Sequence, residues 1–357
     1  MKKFLKVVGI VLLALVVVVG IYFAYVMIDY HRIEDNIKLE VTANDAVDHA
    51  VPLNKEMKIV SYNVGFGAYT PEYSFFMDGG TESRGFSEEA VRETVQGAAD
   101  FIAKQKPDFA FVQEVDIDST RSYHIDEREF FKDALNGYSF TFAQNYDSPY
   151  LFYPIFKPHG KSESGIMTFS EYGLVEGLRR SLPIQTNLAK LVDLDRCYSV
   201  NKVYTTSGKS LCLYDFHLSA YTTDPQIVNE QLEMLYDDIR TEYEAGNYII
   251  CGGDFNKDLL GDSSKIFGVS GEEFSWAQPY PVDTIPAHFK LVAPYNEKKP
   301  VPSCRNADRP YDDSNFVLTI DGFIVSDNVK VVSSDVYDIG FKYSDHNPVY
   351  MNFILKK

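Results

Sequence analysis

Polar side chains suited to catalysis follow apolar, strand-like segments at several points of this sequence. Residues 249–256 read IICGGDFN, an apolar run that ends in Asp254 and Asn256. Because alternate residues of an extended chain point to the same side, these two side chains can address one ligand together. Gly252 and Gly253 permit another backbone to approach closely. An Asp-x-Asn pair also suits an ordinary turn, so a function is indicated only if the pattern recurs.

The pattern does recur at other strand-like segments. Each ends in an amide, carboxylate or imidazole group, which are the groups that bind metals, move protons or contact phosphates. The further positions are Asn63 in SYNV, Glu114 in VQEV, His217 in YDFHL, Asp321 in TIDGF, and Asp345 with His346 in YSDHNP. Since a strand in a rigid scaffold positions the side chain at its end, the repetition predicts one common site.

The combined groups have a definite chemistry. Glu114 and Asp345 with the amide of Asn63 form a set of oxygen ligands, which selects Mg²⁺, with Mn²⁺ as the alternative. Such a cation neutralises phosphate oxygens and stabilises charge that develops in the transition state. His346, oriented by Asp321, provides a positioned base. Together these residues predict hydrolysis of a phosphoester.

The motifs SYNV, QE, GGDFN and SDHNP, in this order, resemble those of the endonuclease/exonuclease/phosphatase superfamily. This superfamily includes pancreatic-type deoxyribonucleases, abasic-site endonucleases, bacterial neutral sphingomyelinases and inositol-polyphosphate phosphatases. The resemblance covers about residues 57–355 and implies a four-layer α/β sandwich with the site at the shared mouth of two sheets. It also implies that Glu114 is the principal Mg²⁺ ligand, with Asn63 nearby and Asp345 completing or supporting the metal site.

The resemblance implies catalytic roles for five further residues. Asp254 would orient or deprotonate the attacking water, and Asn256 would hold a phosphate oxygen. His346, paired with Asp321, would act as a base or as a donor to the phosphate. His217 would contact the phosphate opposite or assist the leaving group. In-line attack by water, with inversion at phosphorus and without a phosphoenzyme, is the expected course.

Two other segments are candidates for contact with the substrate. After the Glu114 strand the chain continues VDIDSTRSYHIDE, in which Arg121, Ser122 and His124 can bind a phosphate or head group, or simply belong to a charged surface loop. Residues 148–160, SPYLFYPIFKPHG, combine aromatic residues with prolines. The composition favours a buried loop, with contact to lipid or substrate as the alternative.

The elements that must position these groups are strands and two long helices. A helix is predicted over 87–105, with Ser87 as its N-cap and an apolar stripe of Val91, Val95, Ala98 and Ile102; Pro107 follows its end. A second helix is predicted over 226–245, with Val228, Leu232, Leu235 and Ile239 along one face. Such alternation favours two mixed sheets packed face to face with helices outside. Strands are predicted at 57–64, 109–115, 138–146, 165–170, 188–194, 197–205, 210–218, 248–256, 317–326, 329–338 and 348–355.

The N-terminal segment has the composition of a membrane anchor. Lys2, Lys3 and Lys6 precede residues 7–28, which carry no charge. As a helix, this run would be roughly 33 Å long at about 1.5 Å per residue, enough to cross a hydrocarbon core. A cleaved signal peptide is the alternative, but its apolar region is shorter and ends in small residues.

This composition predicts the organisation and topology of the chain. We expect a cytoplasmic stub (1–6), a transmembrane helix (7–28), a linker with a leading strand (29–55) and a catalytic domain (56–357). The lysines predict a cytoplasmic N-terminus, which places the catalytic domain outside the cell as part of a single-pass membrane protein. We expect a monomer.

Charge and cysteine content restrict the partners. The formal net charge is −17, and the three lysines before residue 29 leave −20 for the remainder. A body this acidic disfavours nucleic acid as a substrate without excluding it.

Four cysteines are too few for a disulfide scaffold, although Cys197 and Cys212 lie on neighbouring predicted strands and are a candidate pair.

Three functions are consistent with these features. The first is a membrane-anchored, outward-facing, Mg²⁺-dependent phosphodiesterase or phosphatase that acts on a lipid head group or a small phosphoester. The main alternative is a surface nuclease that cleaves DNA or RNA. A binding module that kept the fold without activity would have lost site residues, whereas all the main positions are present.

Overall fold

The body that follows α1 contains two large β-sheets. The computed structural model describes residues 1–42, 49–186, 190, 194–220, 225–270 and 274–357. The helices there are α1 (Lys2–Asp29), α2 (Glu88–Gln105), α3 (Arg128–Ala134), α4 (Pro225–Glu244) and α5 (Ser263–Phe267). The strands are β1 (Ile37–Lys38), β2 (Glu56–Asn63), β3 (Phe109–Asp116), β4 (Ser139–Asp147), β5 (Glu163–Ser170), β6 (Leu174–Ser181), β7 (Cys197–Tyr204), β8 (Ser210–His217), β9 (Tyr248–Asp254), β10 (Phe289–Val292), β11 (Cys304–Arg305), β12 (Val317–Leu318), β13 (Asp321–Ser326), β14 (Val329–Val336) and β15 (Val349–Leu355).

Both large sheets are mixed. The first has the order β14-β15-β2-β3-β5-β4, and the second has the order β1-β6-β7-β8-β9-β13-β10; β11 and β12 form a separate pair. Strand β2 runs parallel to β3, and β8 runs parallel to β9, while the other pairings in these sheets are antiparallel. The carboxyl ends of each parallel pair therefore meet at one edge of their sheet.

The sheets pack face to face and each carries a helix on its outer side. Between them lies an apolar core to which both sheets contribute, for example Phe111 from β3 and Ile250 from β9. Helix α2 packs against the outer face of the six-stranded sheet, and α4 packs against the outer face of the seven-stranded sheet. This order of helix, sheet, sheet and helix confirms the predicted four-layer α/β sandwich.

The two long helices confirm their sequence signals. The Ser87 hydroxyl oxygen accepts a hydrogen bond from the Ala90 N–H at 3.1 Å, and the helix ends one residue before Lys106, which has a left-handed conformation. The predicted apolar stripes of both helices are buried. Burial of such a stripe is the main source of stability for an amphipathic helix.

Other strand predictions need correction. Strands β6, β10 and β11 were not predicted. The strand predicted at 317–326 is interrupted at Thr319 and Ile320, so that β12 and β13 belong to different sheets. Most of the strand predicted at 188–194 lies outside the described residues. Strand β6 was missed because it contains buried Arg179, whose guanidinium donates hydrogen bonds to carbonyl oxygens, including that of Gln144 at 2.7 Å.

The four cysteines are buried free thiols. In the ladder between β7 and β8, Cys212 lies opposite Lys202, whereas Cys197 lies at the far end of β7. The candidate pairing of Cys197 with Cys212 is therefore wrong, because the register separates the two residues along the strands.

Helix α1 projects apolar side chains outward along its length. Within the described residues it is the helix whose length and composition suffice to cross a membrane, and its N-terminal position is also that of a signal sequence. At its end the chain returns to the body, where the His31 Nε2 atom lies 3.0 Å from the Asp147 Oδ2 atom and Arg32 donates a hydrogen bond to the Leu182 carbonyl oxygen.

Candidate active site

The predicted polar residues meet at the carboxyl ends of the two parallel strand pairs. A cavity of about 290 Å³ opens there, lined among others by Glu114, His217, Asp254, Asn256, Asp345 and His346. Asn63 and Asp321 lie behind the lining residues and are hydrogen-bonded to them. The structure thus brings together all eight residues that were predicted for metal binding and catalysis.

Asn63, the last residue of β2, links two carboxylates. Its Nδ2 atom donates hydrogen bonds to the Glu114 Oε1 atom and the Asp254 Oδ2 atom, both at 3.0 Å. Its Oδ1 atom accepts a hydrogen bond from the Gly65 N–H at 3.0 Å. In this arrangement Asn63 holds the neighbouring acids in place, and its own oxygen already accepts one hydrogen bond.

Glu114 is aimed into the cavity by an irregularity in β3. Its φ is +58°, and the pairing of β3 with β5 shifts register between Val112 and Val115. A bulge of this kind redirects a side chain, and a left-handed backbone at a residue other than glycine costs on the order of 1–3 kcal/mol. With 22% of its side chain exposed, Glu114 is open to the cavity.

The Gly-Gly pair before Asp254 allows β9 to fit between its neighbours. A Cβ atom on Gly253, which has φ +135°, would lie 2.0 Å from the Phe216 carbonyl oxygen. Beyond it the Asp254 Oδ1 atom accepts a hydrogen bond from the Asn256 N–H at 2.8 Å, and the Asn256 Nδ2 atom donates to the Leu218 carbonyl oxygen at 2.8 Å. The IICGGDFN segment therefore positions both polar residues at the cavity.

Asp254 lies between two imidazoles. Its Oδ2 atom is 3.5 Å from the Nε2 atom of His217 and 3.7 Å from that of His346. The other ring nitrogen of His346, Nδ1, lies 2.8 Å from the Asp321 Oδ2 atom, which also accepts a hydrogen bond from the Ser303 hydroxyl at 2.7 Å. Because a carboxylate can only accept, His346 carries its Nδ1 proton and turns Nε2 toward Asp254.

Burial and mutual charges shift the pKa values of these groups in different directions. Burial, together with the nearby charge of Asp321, raises the pKa of Asp254 to about 7. Burial opposes protonation of His346, but its close contact with Asp321 outweighs this effect and raises the pKa of His346 well above its ordinary value. Burial, with the nearby charge of Arg196, lowers the pKa of His217 well below its ordinary value. The site therefore combines a protonated and a neutral imidazole.

The acids of the cavity fit a divalent cation. Glu114 and Asp345 both line it, and burial and the charge of Glu114 raise the pKa of Asp345, as expected for acids crowded without a counter-ion. Ligand atoms of Asp254, Asp321 and His346 also lie within 4.8 Å of one another, but His346 is already hydrogen-bonded to Asp321. Carboxylate oxygens are the donors that Mg²⁺ and Mn²⁺ prefer, so Glu114 and Asp345 suit such an ion.

The three residues proposed for substrate contact are placed differently. Arg121 lines the cavity, but its Nε and Nη2 atoms donate to both carboxylate oxygens of Asp116, at 3.0 and 2.8 Å. Ser122 is buried and also donates to Asp116. His124 is exposed, pairs with Asp118 and does not line the cavity. Arg121 is thus the member of this set that the structure brings to the site.

Several other residues that line the cavity were not predicted from the sequence. Arg196 is only 3% exposed, and its Nε atom has no hydrogen-bond partner within the described part of the chain. Arg305 donates a hydrogen bond to the Thr70 carbonyl oxygen at 2.9 Å. His159 also reaches the cavity, from the segment between β4 and β5. Arg196 precedes β7, and Arg305 ends the two-residue strand β11, which was not predicted. Neither arginine follows a long apolar strand as Glu114 and Asp254 do.

Comparison with known proteins agrees with this geometry. The model of the endonuclease/exonuclease/phosphatase family matches residues 60–346. The chain belongs to this family. Its members are metal-dependent phosphoester hydrolases, which agrees with the carboxylates and imidazoles gathered at the cavity. No curated protein matches the sequence.

Solved structures of the endonuclease/exonuclease/phosphatase family share the fold at low sequence identity. A family member from Beutenbergia cavernae DSM 12333 has a TM-score of 0.55 and 17% identity, over 85% of this chain and 72% of that one. ANGEL2, a 2′,3′-cyclic phosphatase, in complex with adenosine-2′,3′-vanadate has a TM-score of 0.55 and 17% identity, over 90% and 99%. The human Nocturnin catalytic domain with bound sulfate has a TM-score of 0.52 and 16% identity, over 88% and 96%. At this level of identity, these structural similarities are evidence for the fold alone.

Proposed function

We propose that this chain is a membrane-anchored, outward-facing hydrolase that uses Mg²⁺ to cleave the phosphoester of a lipid head group or a small molecule. Residues 7–28 would span the membrane with the N-terminus in the cytoplasm, and residues 56–357 would be the catalytic domain outside.

The observation that carries this proposal is the position of the anchor relative to the cavity. The chain leaving α1 contacts Asp147, the last residue of β4, through His31. The neighbouring residue Tyr146 lines the cavity, as does its partner in β5, Ser164. A membrane that held α1 would therefore lie at the same end of the sandwich as the cavity, where head groups of membrane lipids are concentrated.

Glu114 and Asp345 are the residues that would hold the cation, with Asn63 positioning Glu114. When bound, a divalent cation neutralises phosphate oxygens and stabilises the charge that develops on them. It would also favour the ionised form of nearby Asp254, whose pKa is otherwise raised.

The chain's own groups would then act on the phosphate and on water. Asp254 would accept a proton from the water that attacks phosphorus, and His346, protonated and oriented by Asp321, would donate a hydrogen bond to the phosphate. Asn256 would hold a phosphate oxygen through its amide. Neutral His217 would contact the phosphate from the other side or assist the leaving group.

A nuclease is the second candidate function. Three arginines, Arg121, Arg196 and Arg305, line the cavity and supply local positive charge within an acidic body. ANGEL2, which shares the fold, was solved with adenosine-2′,3′-vanadate. The net charge of the body opposes binding of a long polyanion, so we place this function second.

Hydrolysis by the full-length protein in phospholipid vesicles tests the proposal. Phospholipids, small phosphoesters, plasmid DNA and RNA would be compared with Mg²⁺ and with EDTA, using Asp254→Asn as the inactive variant and Asp118→Asn as an exposed control. We expect Mg²⁺-dependent hydrolysis of a lipid or small phosphoester, lost in Asp254→Asn and kept in Asp118→Asn. Cleavage of DNA or RNA alone would replace the proposal by the nuclease function.

A further inference from the structure

Residues 150–160, here called the aromatic loop, expose a group of apolar side chains beside the cavity. Phe152, Tyr153 and Ile155 are more than half exposed, and Phe156 is fully exposed. The sequence favoured a buried loop over residues 148–160, and this prediction is wrong for these four side chains. Four neighbouring exposed apolar groups on one short loop form a patch of the kind that marks an interaction site.

The aromatic loop is hydrogen-bonded to helix α1. The Tyr22 hydroxyl donates to the Tyr150 carbonyl oxygen at 3.1 Å, and the Tyr25 hydroxyl accepts from the Tyr150 N–H at 3.1 Å. The rings of Tyr22 and Phe152 also meet edge to face, with centroids 5.2 Å apart. The loop is therefore continuous with the surface of the proposed membrane span.

These contacts set the depth of the loop if α1 spans the membrane. Tyr22 precedes the last helical residue, Asp29, by seven positions, which is about 10 Å along the helix axis at about 1.5 Å per residue. A loop that touches Tyr22 would consequently lie at the level of the lipid head groups or the outer acyl chains, where aromatic side chains concentrate.

The backbone of the loop suits that environment. Leu151 and Gly160 exchange two backbone hydrogen bonds, at 3.1 and 3.0 Å, and the His159 N–H donates to the Tyr153 carbonyl oxygen at 3.1 Å. The Phe152 N–H donates to the Tyr22 hydroxyl at 3.4 Å. Internal pairing of this kind lowers the cost of placing a loop in contact with lipid.

The patch extends to the mouth of the cavity. The ring of Tyr153 lies 5.7 Å from that of Phe76, and the next residue, Met77, is half exposed and lines the cavity together with Phe75. An apolar path thus runs from the exposed tip of the loop to the site.

We propose that the aromatic loop is a second membrane contact, which inserts Phe152, Tyr153, Ile155 and Phe156 into the outer leaflet and holds the cavity mouth against the lipid surface. This inference rests on the proposed membrane span and deepens the proposed function, since it favours a substrate that is presented by the bilayer.

Fluorescence of a label on the loop tests the inference without any need for activity. The full-length Phe156→Cys protein would be labelled with an environment-sensitive dye and incorporated into phosphatidylcholine vesicles with or without lipids that carry a nitroxide near the head group. The native cysteines are buried, so labelling is directed to the new residue. Tyr204→Cys is the matched control, because Tyr204 is exposed at the end of β7 opposite the cavity.

We expect the nitroxide lipid to quench the label at position 156 by about twofold or more and to leave the label at position 204 unchanged. Flotation of the vesicles in a density gradient shows whether the protein is membrane-bound. Membrane-bound protein with equal, weak quenching at both positions would overturn the loop contact but would still support the membrane span. Protein that does not float would overturn the anchor and the inference that rests on it.

A second experiment asks whether the loop serves the reaction on lipid. The double variant Ile155→Glu, Phe156→Glu should lower hydrolysis of phospholipid in vesicles by about tenfold while hydrolysis of a soluble short-chain analogue stays unchanged. Val332→Glu, on the exposed surface of β14, is the control. An equal loss on both substrates would contradict a role in presenting the site to the bilayer.

Discussion

The Nδ1 atom of His346 lies 2.8 Å from the Oδ2 atom of Asp321, and both side chains are buried. This contact holds the imidazole in one orientation, with its second nitrogen toward Asp254. In the proposed mechanism Asp321 therefore acts through His346.

Replacing Asp321 by Asn tests this relationship. The amide keeps the size of the side chain but removes the charge that favours protonated His346, so we expect kcat to fall by about 10²-fold or more while the fold is retained. Asp118→Asn, an exposed substitution, should leave kcat unchanged. Activity within a few-fold of wild type in Asp321→Asn would exclude the positioning role.

The Glu114→Gln substitution should weaken binding of the divalent cation. Glutamine offers a neutral oxygen in place of a carboxylate, and we expect the Mg²⁺ concentration for half-maximal activity to rise at least about tenfold. Binding of Mn²⁺, followed by electron paramagnetic resonance, gives a readout independent of turnover. The exposed substitution Glu129→Gln is the control, and equal Mn²⁺ affinity in both variants would remove Glu114 from the metal site.

Gly253→Ala should destabilise the fold strongly. The added methyl group would meet the Phe216 carbonyl oxygen in a backbone conformation that alanine rarely adopts, so we expect the free energy of unfolding to fall by about 3 kcal/mol or more. Gly208→Ala is the matched control, since it has a positive φ but open space around the new methyl group. It should lose about 1 kcal/mol. Equal losses in urea denaturation would show that the contact with β8 is unimportant.

Structure that depends on local features of the sequence was predicted, whereas structure that depends on contacts between distant segments was not. Helix α2 was predictable because its cap at Ser87 and its apolar stripe are local features. The common site was predictable because polar residues such as Asn63, His217 and Asp254 end apolar strands, as expected. Asp321, which begins β13, and His346, which precedes β15, do not follow strands as was predicted, yet they reach the same site. Buried Arg179 in β6 was not, because its partners are carbonyl oxygens from distant segments, such as that of Gln144.

The surroundings of the site depend on loops, and there prediction was weaker. Arg196 precedes its strand, so it lacked the pattern that identified residues such as Asp254. Arg121 was proposed as a substrate contact, but its bidentate pairing with Asp116 depends on how the loop after β3 folds back. Contacts of this kind, which depend on how loops fold, produce no periodic pattern or fixed spacing that a single sequence would reveal.

His159 should make stability depend on pH. Burial, with the nearby charge of Arg121, lowers the pKa of His159 from 6.5 to about 4. Between these values the unfolded chain binds a proton that the folded protein does not, so stability falls as the pH drops from 6.5 toward 4.

The His159→Gln variant removes this proton-binding group. Between pH 7 and pH 4.5, it should lose about 2 kcal/mol less of its free energy of unfolding than wild type does. Urea denaturation of both proteins, in one detergent and at the two pH values, measures the difference. The carboxylates are the same in both proteins, so their contribution cancels. An equal pH-dependent loss in the two proteins would contradict a neutral, buried His159.

The proposed topology predicts that the body is accessible from outside the cell. Lys2, Lys3 and Lys6 flank the cytoplasmic end of the span in this proposal, because positive charge is retained on that side. Protease added to intact cells should therefore remove the body and leave a short membrane-bound fragment, whereas a cytoplasmic marker protein should stay intact. Protection of the body in intact cells, with digestion only after the membrane is permeabilised, would reverse the orientation, and the cavity would then face cytoplasmic lipids and nucleotides.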